Sequence, residues 1–407
     1  MTPIATVQRK KTLHDIPSAE LAGKRVIVRV DFNVPMNGAA ITDDTRIRAA
    51  LETITYLIKH QAKIILLSHL GRPKGTVQEA LRLTPIARHL STLLNQRVLK
   101  SDDCIGPEVE AAILHLKNGE IILLENTRFH LEETDNNSDF AKKLAQLGDL
   151  FINDAFGVSH RADASTSGIP NYLPAIAGFL VEKELSVLTQ VLNAPERPLV
   201  IIIGGAKISS KFGVLQNILG RVDTLIIGGG MSFTLLKAQG YEIGKSLYEA
   251  DLLEDAKTFL ENAKKSTTKL ILPLDHIVVA TFDNASPQQT VDTENIPNDQ
   301  MGVDVGPKTI AAIQTEIKTA KTIVWNGPLG VFEMDNFANG TLEVAQMLAK
   351  SDAFTLIGGG DSATAIAKAN VTDQMSYIST GGGATLEFLE GKQLPGITSL
   401  QNWESPE

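Results

Sequence analysis

An apolar run ends at three glycines in the stretch LIGGGDSATAI, residues 356–366, and small and apolar residues in helical spacing follow. Glycine has no Cβ and adopts positive φ, so a ligand can approach the backbone closely at such a point. The start of the helix that follows offers unpaired N–H groups, and these bind anions. The stretch therefore predicts a buried strand, a glycine turn and a helix whose start lies against an anionic ligand.

Three further stretches in the second half of the chain repeat this pattern, at residues 199–211, 224–233 and 377–388. Short β-branched runs that end at glycine are typical of parallel strands. A single glycine turn is equally well explained as a tight connection between a strand and a helix. Four such turns at successive strand ends favour a crevice for phosphate or a nucleotide.

The first half of the chain predicts a second set of strands. Apolar runs that end in polar residues occupy residues 25–33, 62–72, 120–129 and 149–157. Amphipathic helical stretches separate them, for example at residues 45–60 and 84–94. Alternating strands and helices form parallel, doubly wound sheets, and ligands bind beyond the carboxyl ends of their strands. The polar residues that end these runs are therefore the candidate site residues.

A helix and a proline-containing segment separate the two halves. The helix is predicted at residues 181–192, which have an apolar face. The segment NAPERP, residues 193–198, ends it because proline cannot continue a helix. The predicted fold class is therefore α/β, with two doubly wound parallel-sheet (Rossmann-like) domains joined by a linking helix and hinge.

Composition narrows the classes of function. The 407 residues suit two or three domains, and 38 basic against 47 acidic residues give a net charge of −9, so we expect no broad nucleic-acid surface. No apolar run approaches the roughly 20 residues that span a membrane. The N-terminus lacks the apolar core of a secretory signal, and we expect a short frayed tail there.

Cys104 is the single cysteine, which excludes an internal disulfide and suits a reducing compartment. We expect it to be a buried apolar side chain.

Charged and amide side chains end the predicted strands of the first half. They are Asp31, Asn33, His69, Arg72, Glu125, Arg128, Asp154, His160 and Arg161, and Arg46 opens the helix after the first strand. Each arginine alone is explained by a salt bridge to a neighbouring acid. Several together on an acidic chain favour a small substrate with several negative charges, since guanidinium groups bind phosphate and carboxylate with paired hydrogen bonds. We assign no role to His160.

The strands of the second half end differently. Glycines dominate, together with Lys207, Lys211, Asp361 and the stretch VWNGPLGVFE, residues 324–333. Backbone donors and two lysines suit a polyphosphate, and a lone aspartate beside a glycine turn suits Mg²⁺ that is held jointly with phosphate oxygens. One half is thus suited to an anionic metabolite and the other to a nucleotide. Phosphoryl transfer between the two is the reaction that uses both halves.

Other catalytic and nucleotide motifs are weak or missing in the sequence. It has no Walker A motif, no H-E-x-x-H or paired C-x-x-C metal motif and no G-x-S-x-G elbow. Gly358, Gly360 and Ala363 fit the dinucleotide pattern G-x-G-x-x-A, but the chain reads ISTGGG where an acidic ribose ligand belongs, about 20 residues further on. Two alternatives stay open: a nicotinamide-dependent dehydrogenase and a nucleotide-binding protein without turnover.

Ten ordered segments between residues 25 and 397 resemble the motifs of phosphoglycerate kinases. They read RVDFNVP, RI, SHLGRPKG, ENTRF, DAFGVSHRA, GGAKISSK, GGGMSFTLLKAQG, WNGPLGVFE, GGGDSA and ISTGGGATLEFLEGKQLPGI. The resemblance implies reversible phosphoryl transfer between 1,3-bisphosphoglycerate and MgADP, which gives 3-phosphoglycerate and MgATP. It places this reaction in glycolysis, gluconeogenesis or carbon fixation.

The same resemblance implies roles for the first half of the chain. Asp31 and Asn33 hold the hydroxyl and carboxylate region of the glycerate, and Arg46 lies at the reacting carboxyl. The 3-phosphate is bound by His69, Arg72, Arg128 and Arg161. Neighbouring positions complete the expected substrate site: Phe32, Leu70 and Gly71.

For the second half, the resemblance implies a MgADP or MgATP site. Lys211 meets the nucleotide phosphates, Glu333 the ribose hydroxyls, and Asp361 the Mg²⁺ cofactor. Further nucleotide contacts are expected at Gly229, Asn326, Gly358, Gly359, Gly360 and Ser362. Lys207 also faces the nucleotide, and the expected catalytic set is Arg46, Lys207, Gly381, Gly382 and Gly383.

The resemblance also implies the organisation of the protein. Residues 1–181 form the 3-phosphoglycerate domain, with a C-terminal tail of about residues 393–407 packed back on it, and residues 182–392 form the linking helix and nucleotide domain. The family implies a cytoplasmic monomer that closes over its substrates, without nucleic-acid or membrane partners. Two positions depart from the family pattern: Asp163 stands where we expect histidine, and Ser362 where many members have threonine.

Overall fold

The structure is a computed structural model that describes residues 8–404 of the chain. The predicted N-terminal tail, residues 1–7, and the last three residues of the predicted C-terminal tail lie outside the described residues. Contacts divide the chain into two compact units, residues 8–189 with 393–404 and residues 190–392. Within residues 8–404, no helix is long and apolar enough to cross a membrane.

A parallel six-stranded sheet forms the centre of the first unit. The strands of this unit, which include a short antiparallel hairpin, are β1 (Arg25–Val30), β2 (Met36–Asn37), β3 (Ala40–Ile41), β4 (Lys63–Leu67), β5 (Val98–Lys100), β6 (Ile121–Leu123), β7 (Leu150–Asp154) and β8 (Ala175–Ala177). The sheet order is β5-β6-β4-β1-β7-β8, and every pair in it is parallel. Its strands are apolar and almost continuously buried, as expected of a sheet that helices cover on both faces.

Helices connect these strands. They are α1 (Thr45–Ala49), α2 (Leu51–Lys59), α3 (Thr84–Leu94), α4 (Pro107–Leu114), α5 (Leu131–Thr134), α6 (Ser138–Ala145) and α7 (Phe179–Asn193). The single helix predicted at residues 45–60 is interrupted at Ala50, whose N–H bonds back to the carbonyl of Ile47, so Arg46 lies on a one-turn helix of its own. The predicted linking helix is α7, and the division between the two units falls within it.

The second unit contains another six-stranded parallel sheet and a small antiparallel one. Its strands are β9 (Leu199–Ile203), β10 (Thr224–Ile227), β11 (Lys269–Ile271), β12 (Asp275–Val279), β13 (Gln289–Asp292), β14 (Met301–Val305), β15 (Thr322–Asn326), β16 (Phe354–Gly358) and β17 (Tyr377–Ile378). The parallel order is β11-β10-β9-β15-β16-β17, and the antiparallel order is β13-β12-β14. The two parallel sheets confirm the predicted fold class, whereas the antiparallel sheet was not predicted.

The glycine turns of the second unit lead into helices. Its helices are α8 (Phe212–Ile218), α9 (Met231–Ala238), α10 (Leu253–Lys265), α11 (Pro307–Thr319), α12 (Asn339–Ala349), α13 (Gly360–Lys368) and α14 (Gly383–Leu389). The strand register pairs Ile203 with Asn326, and Asn326 with Gly358. The carboxyl ends of three central strands therefore meet at one edge of the sheet, which is where polar loops of a parallel sheet bind ligands.

The last described residues belong to the first unit. They include the short helix α15 (Pro395–Thr398). Gly396 donates its N–H to the carbonyl of Ser159 at 2.8 Å and accepts a hydrogen bond from Asn153 at 2.9 Å. The backbone N–H of Gln401 bonds to the carbonyl of Ala175 in β8. Residues 393–404 thus complete the packing of a unit that is otherwise formed by the first half of the chain.

Candidate functional site

The ends of β1 and β4 in the first unit form a tightly hydrogen-bonded corner. Arg46 donates to the carbonyl oxygen of Asn33 at 2.9 Å and pairs with the carboxylate of Asp31 at 3.2 Å. The side-chain oxygen of Asn33 accepts the N–H of Gly71 at 2.8 Å. Phe32 is fully buried, and its N–H donates to the hydroxyl of Ser68. The predicted residues 31–33, 46 and 71 are therefore brought together.

Two further predicted residues, Leu70 and Arg128, lie against the same corner. Asn126 exchanges two hydrogen bonds with the backbone of Leu70, and Arg128 donates to the carbonyl of Gly71 at 3.1 Å. Gly71 has φ +64°, and a Cβ there would lie 2.8 Å from the side chain of Leu81, so this turn requires glycine. The β4 loop is thus held in position by the residues that follow β6.

A second buried acid, in addition to Asp31, lies in the arginine cluster. Arg128 pairs with Asp163 at 3.3 Å, and both side chains are buried. The Nε of Arg128 is also buried and has no hydrogen-bond partner within residues 8–404, so this guanidinium retains capacity for an anion. Burial lowers the pKa of Arg161, and the positive charge of Arg128 lowers it further. Asp163, where the family pattern predicts histidine, therefore neutralises part of a concentrated positive charge.

Arg29 is a functional candidate that the sequence analysis missed. Its guanidinium is fully buried beneath the corner and lies 3.1 Å from Nδ1 of His69, which is itself almost fully buried. Guanidinium has no acceptor, so Nδ1 of His69 must accept and the ring proton lies on Nε2. Burial, followed by the charge of Arg29, lowers the pKa of His69 well below its usual value, and the ring is neutral. An arginine inside the apolar run RVIVRV was the available signal.

A buried lysine is at the centre of the strand-end cluster in the second unit. Nζ of Lys211 donates to the carbonyl of Gly204 at 2.7 Å, and to the carbonyl and side-chain oxygens of Asn326 at 3.0 and 2.7 Å. Burial lowers the pKa of Lys211 to about 8, and the carboxylate of Asp361 opposes this shift. Within the described residues, the side-chain nitrogen of Asn326 is buried without an acceptor. It lies beside Gly358 and Gly359, where phosphate oxygens could accept from it.

The glycine turns contact one another directly through their backbones. Gly229 has φ +68°, and a Cβ there would lie 2.7 Å from the backbone N and O of Gly205. A Cβ on Gly204 would lie 2.0 Å from the carbonyl oxygen of Pro328. No side chain fits at either position, so the turns at the ends of β9, β10 and β15 are assembled backbone to backbone.

The starts of α13 and α14 approach each other at the same edge. A Cβ on Gly382 would lie 4.0 Å from the backbone nitrogen of Gly360. Ser362 accepts the N–H of Gly327 at 2.6 Å, which ties α13 to the end of β15. Asp361 lies in the first turn of α13 and is exposed. The predicted glycines at 358–360 and 381–383 thus belong to one cluster with Asn326 and Lys211.

A cavity of about 650 Å³ opens beside this cluster in the second unit. Gly229, Glu333 and Asp361 line it, as the sequence analysis requires of a nucleotide site. Its apolar wall, however, was not predicted, and it includes Phe233, Leu247, Met301, Val303 and Leu329. Such a wall suits a flat aromatic base. No local motif marks these residues, because they come from four separate segments.

Two predicted residues, Arg72 and Lys207, form no side-chain hydrogen bond or ion pair within residues 8–404. Arg72 and Lys207 are exposed, and the carbonyl of Lys207 accepts a hydrogen bond from Ser210. Arg72 acts on the arginine cluster through its charge, which lowers the pKa of Arg161. Arginine and lysine side chains are long, so exposed cations of this kind can extend towards an anion that binds nearby.

Comparisons with known proteins identify the family of the chain. A sequence model of the family described as phosphoglycerate kinase matches residues 15–392. Proteins named phosphoglycerate kinase from Moorella thermoacetica and Microcystis aeruginosa are each 54% identical to this chain, over 391 and 397 residues, and the matches cover 96% of it and 99% of each relative.

Solved structures give the same result. The phosphoglycerate kinase of Coxiella burnetii has a TM-score of 0.85 at 43% identity and covers 96% of this chain and 98% of its own. That of Pyrococcus horikoshii has a TM-score of 0.83 at 34% identity over 97% and 98% of the two chains. These similarities exclude the dehydrogenase alternative. The chain therefore belongs to the phosphoglycerate kinase family and is a phosphotransferase.

Proposed function

We propose that the two strand-end clusters hold the two substrates of the phosphoglycerate kinase reaction. This reaction transfers a phosphoryl group reversibly between 1,3-bisphosphoglycerate and MgADP, giving 3-phosphoglycerate and MgATP. The observation that carries the assignment is the contrast between the clusters: one collects arginines, and the other collects glycine turns around one buried lysine. Arginines suit the compact anionic metabolite, and backbone donors suit the nucleotide phosphates.

In the first unit, Asp31 and Asn33 bind the hydroxyl and carboxylate region of the glycerate. Arg46, which now pairs with Asp31 and the Asn33 backbone, lies at the reacting carboxyl. The nonreacting 3-phosphate takes hydrogen bonds from His69, Arg72, Arg128 and Arg161. The unpaired Nε of Arg128 supports this placement.

Arg29 acts through His69 in this proposal. Because Arg29 occupies Nδ1, the Nε2–H of His69 is the donor that remains for the phosphate. A neutral imidazole with its proton on Nε2 can donate this hydrogen bond to the phosphate. Arg29 is thus a positioning residue, and the substrate contact belongs to His69.

In the second unit, Lys211 and the turn Gly358–Gly360 bind the nucleotide phosphates, and Glu333 binds the ribose hydroxyls. Gly229, Asn326 and Ser362 complete the site. The Asn326 side-chain nitrogen supplies a donor that has no acceptor among the described residues. The apolar wall of the cavity receives the base.

Asp361 fits a Mg²⁺ that arrives with the nucleotide. Its carboxylate is exposed on the cavity wall at the start of α13, and Mg²⁺ in kinases is bound by one or two carboxylates together with substrate phosphates. The cation supplies charge neutralisation at the phosphate oxygens. Through this cation, Asp361 would orient the nucleotide phosphates for transfer. Lys211 would neutralise part of the same phosphate charge.

The chemistry requires no general base. The carboxylate of 3-phosphoglycerate is already ionised and attacks the terminal phosphorus of ATP directly; the new C–O–P bond forms as the bond to ADP breaks. Catalysis then rests on alignment and on donors for the equatorial oxygens of the transferred group. Arg46, Lys207 and the backbone at Gly381–Gly383 supply them. Closure of the units over both substrates would exclude water from the acyl phosphate.

We propose the division into two substrate-binding domains that the family resemblance implies. Residues 1–181 with the tail from about 393 bind the glycerate substrate, and residues 182–392 bind the nucleotide. A cytoplasmic monomer is proposed, with no nucleic-acid partner, which the net charge of −9 supports. Metabolites, and not macromolecules, are its proposed ligands.

The test is ³¹P NMR of the purified protein with ATP, Mg²⁺ and 3-phosphoglycerate, with hydroxylamine as a trap for acyl phosphate. We expect ADP and the trapped hydroxamate only when all three are present. Samples that lack Mg²⁺ or 3-phosphoglycerate are the controls. ATP binding without any consumption of 3-phosphoglycerate would contradict the proposal and support the nucleotide-binding protein without turnover.

A further inference from the structure

A cluster of three side chains in the first unit has no part in either substrate site. Asp103 and Cys104 lie in the loop between β5 and α4, and His130 lies at the start of α5. A carboxylate oxygen, the thiol sulfur and an imidazole nitrogen all lie within 4.8 Å of one another. In residues 8–404 this is the one group of three or more His, Cys, Asp or Glu side chains with such spacing.

We propose that Asp103, Cys104 and His130 form a binding site for Zn²⁺. Thiolate, imidazole and carboxylate are the three ligand types that Zn²⁺ takes in proteins, and a separation below 5 Å between ligand atoms is closed to tetrahedral distances by small side-chain movements. Three protein ligands leave one position for water. The sulfur and nitrogen ligands favour Zn²⁺ over Mg²⁺ or Ca²⁺, which prefer oxygen.

Existing contacts already hold the ligands near their binding positions. Nε2 of His130 lies 2.7 Å from the carboxylate of Asp103, and the N–H of Cys104 donates to the same oxygen at 2.6 Å. The ring of His130 packs on Phe140, with the two centroids 5.1 Å apart. On binding, the cation would take the place of the proton between His130 and Asp103, and the thiol of Cys104 would release its proton to solvent.

Exposure differs among the three ligands in a way that suits a bound cation. Cys104 is fully buried, His130 is partly exposed and Asp103 is exposed. A cation can therefore enter past Asp103 and His130 and reach a sulfur that larger reagents cannot. Burial also raises the pKa of the Cys104 thiol, which without a bound cation makes it unsuitable as a reactive nucleophile.

Surrounding charges favour a cation at this position. The carboxylates of Asp103 and Glu133 act on Cys104, and those of Asp103, Glu132 and Glu133 act on His130. Carboxylates are thus the strongest charges that act on these two ligands. A divalent cation would offset this local excess of negative charge.

The test is a titration of the full-length, chelator-treated protein with Co²⁺, which reports its ligands optically. We expect one Co²⁺ per chain with the near-ultraviolet charge-transfer band of a cobalt thiolate, and its displacement by one equivalent of Zn²⁺ but not by excess Mg²⁺. Cys104→Ala should lose the band. His130→Gln and Asp103→Asn should weaken Co²⁺ binding by more than about tenfold, because loss of even an outer-shell partner costs 10–100-fold.

His115→Gln is the matched control, since His115 is an exposed histidine at the end of α4 and lies outside the cluster. It should bind Co²⁺ as the wild type does. The exposed position of Asp103 keeps its variant informative if Cys104→Ala does not fold. Absence of the thiolate band in the wild type, or unchanged affinity in both Asp103→Asn and His130→Gln, would overturn the proposal.

Discussion

The two units contain the same kind of parallel sheet, but their proposed anion sites are formed by different chemical groups. In the first unit, guanidinium groups form the proposed site, and acids and carbonyls hold them, as in the contacts of Arg46 with Asp31 and Asn33. In the second unit, backbone groups of tightly packed glycine turns form the proposed site around Lys211. The sheet fixes where a site lies, and the residues that end the strands fix its chemistry.

The comparison is tested most strongly at Arg46, where the proposal places transition-state charge. Arg46→Ala should lower kcat by about 10²–10³-fold, as loss of a single oxyanion donor does, with little change in KM. Steady-state kinetics with both substrates varied measure this. Arg48→Ala on the same helix is the control, and it should change kcat by less than about twofold because its ion pair with Asp44 is exposed. An unchanged kcat for Arg46→Ala would remove the assigned role.

The second test separates the two sites by substrate. Arg128→Ala should raise KM for 3-phosphoglycerate by roughly 10–100-fold, the effect of one lost charge-assisted hydrogen bond or two, with a smaller change in kcat because the 3-phosphate does not react. The exposed Arg88→Ala is the control. An effect confined to KM for the nucleotide would contradict the placement of Arg128 in the 3-phosphoglycerate site.

A pH profile distinguishes lysine from arginine. Because the pKa of Lys211 is lowered to about 8, its charge is present below that pH and is lost as the pH rises through it. We therefore expect KM for ATP to rise by up to about tenfold between pH 8 and pH 9.5, while KM for 3-phosphoglycerate, which depends on arginines, stays constant. Lys211→Arg should abolish this rise. Equal pH dependence for both substrates would contradict the distinction between the sites.

The smallest expected effect concerns Asp163. Asp163→Asn removes the buried charge that neutralises Arg128, so KM for 3-phosphoglycerate should fall by roughly two- to fivefold. Because both side chains are buried, the effect should change little with salt concentration. Asp135→Asn, an exposed change beyond the cluster, is the control. A rise in KM would show that the main effect of Asp163 is to position Arg128, and not to compete with the substrate phosphate for it.

Most of the fold could be predicted from local patterns in the sequence. Apolar runs that end at glycine or at polar residues located the central strands of both sheets, because a strand buried on both faces has few alternatives. The antiparallel sheet escaped prediction, since Gln289–Asp292 is polar and Met301–Val305 contains glycine and aspartate. The break at Ala50 also has no signal in its own residues.

The candidate site was predictable only where a single residue differs clearly in charge or size from its neighbours in the sequence. Arg46, Lys211 and Asp361 stand out as charges at the starts of helices that follow strands, and the structure brings each of them close to a strand-end cluster. Arg29 was missed because it acts from within a strand, through a contact with His69 that spans 40 positions. The apolar wall of the cavity was missed because ordinary core residues form it. Long-range contacts of this kind leave no periodic or motif signal in a single sequence.

The position of residues 393–404 has a consequence for synthesis on the ribosome. These residues pack against Asn153, Ser159 and Ala175, so the unit that is translated first lacks part of its packing until the last residues emerge. Residues 190–392, in contrast, form one continuous segment of the chain, so this unit does not depend on residues that are translated after it. The arginine-bearing unit is thus begun before the second unit and completed after it.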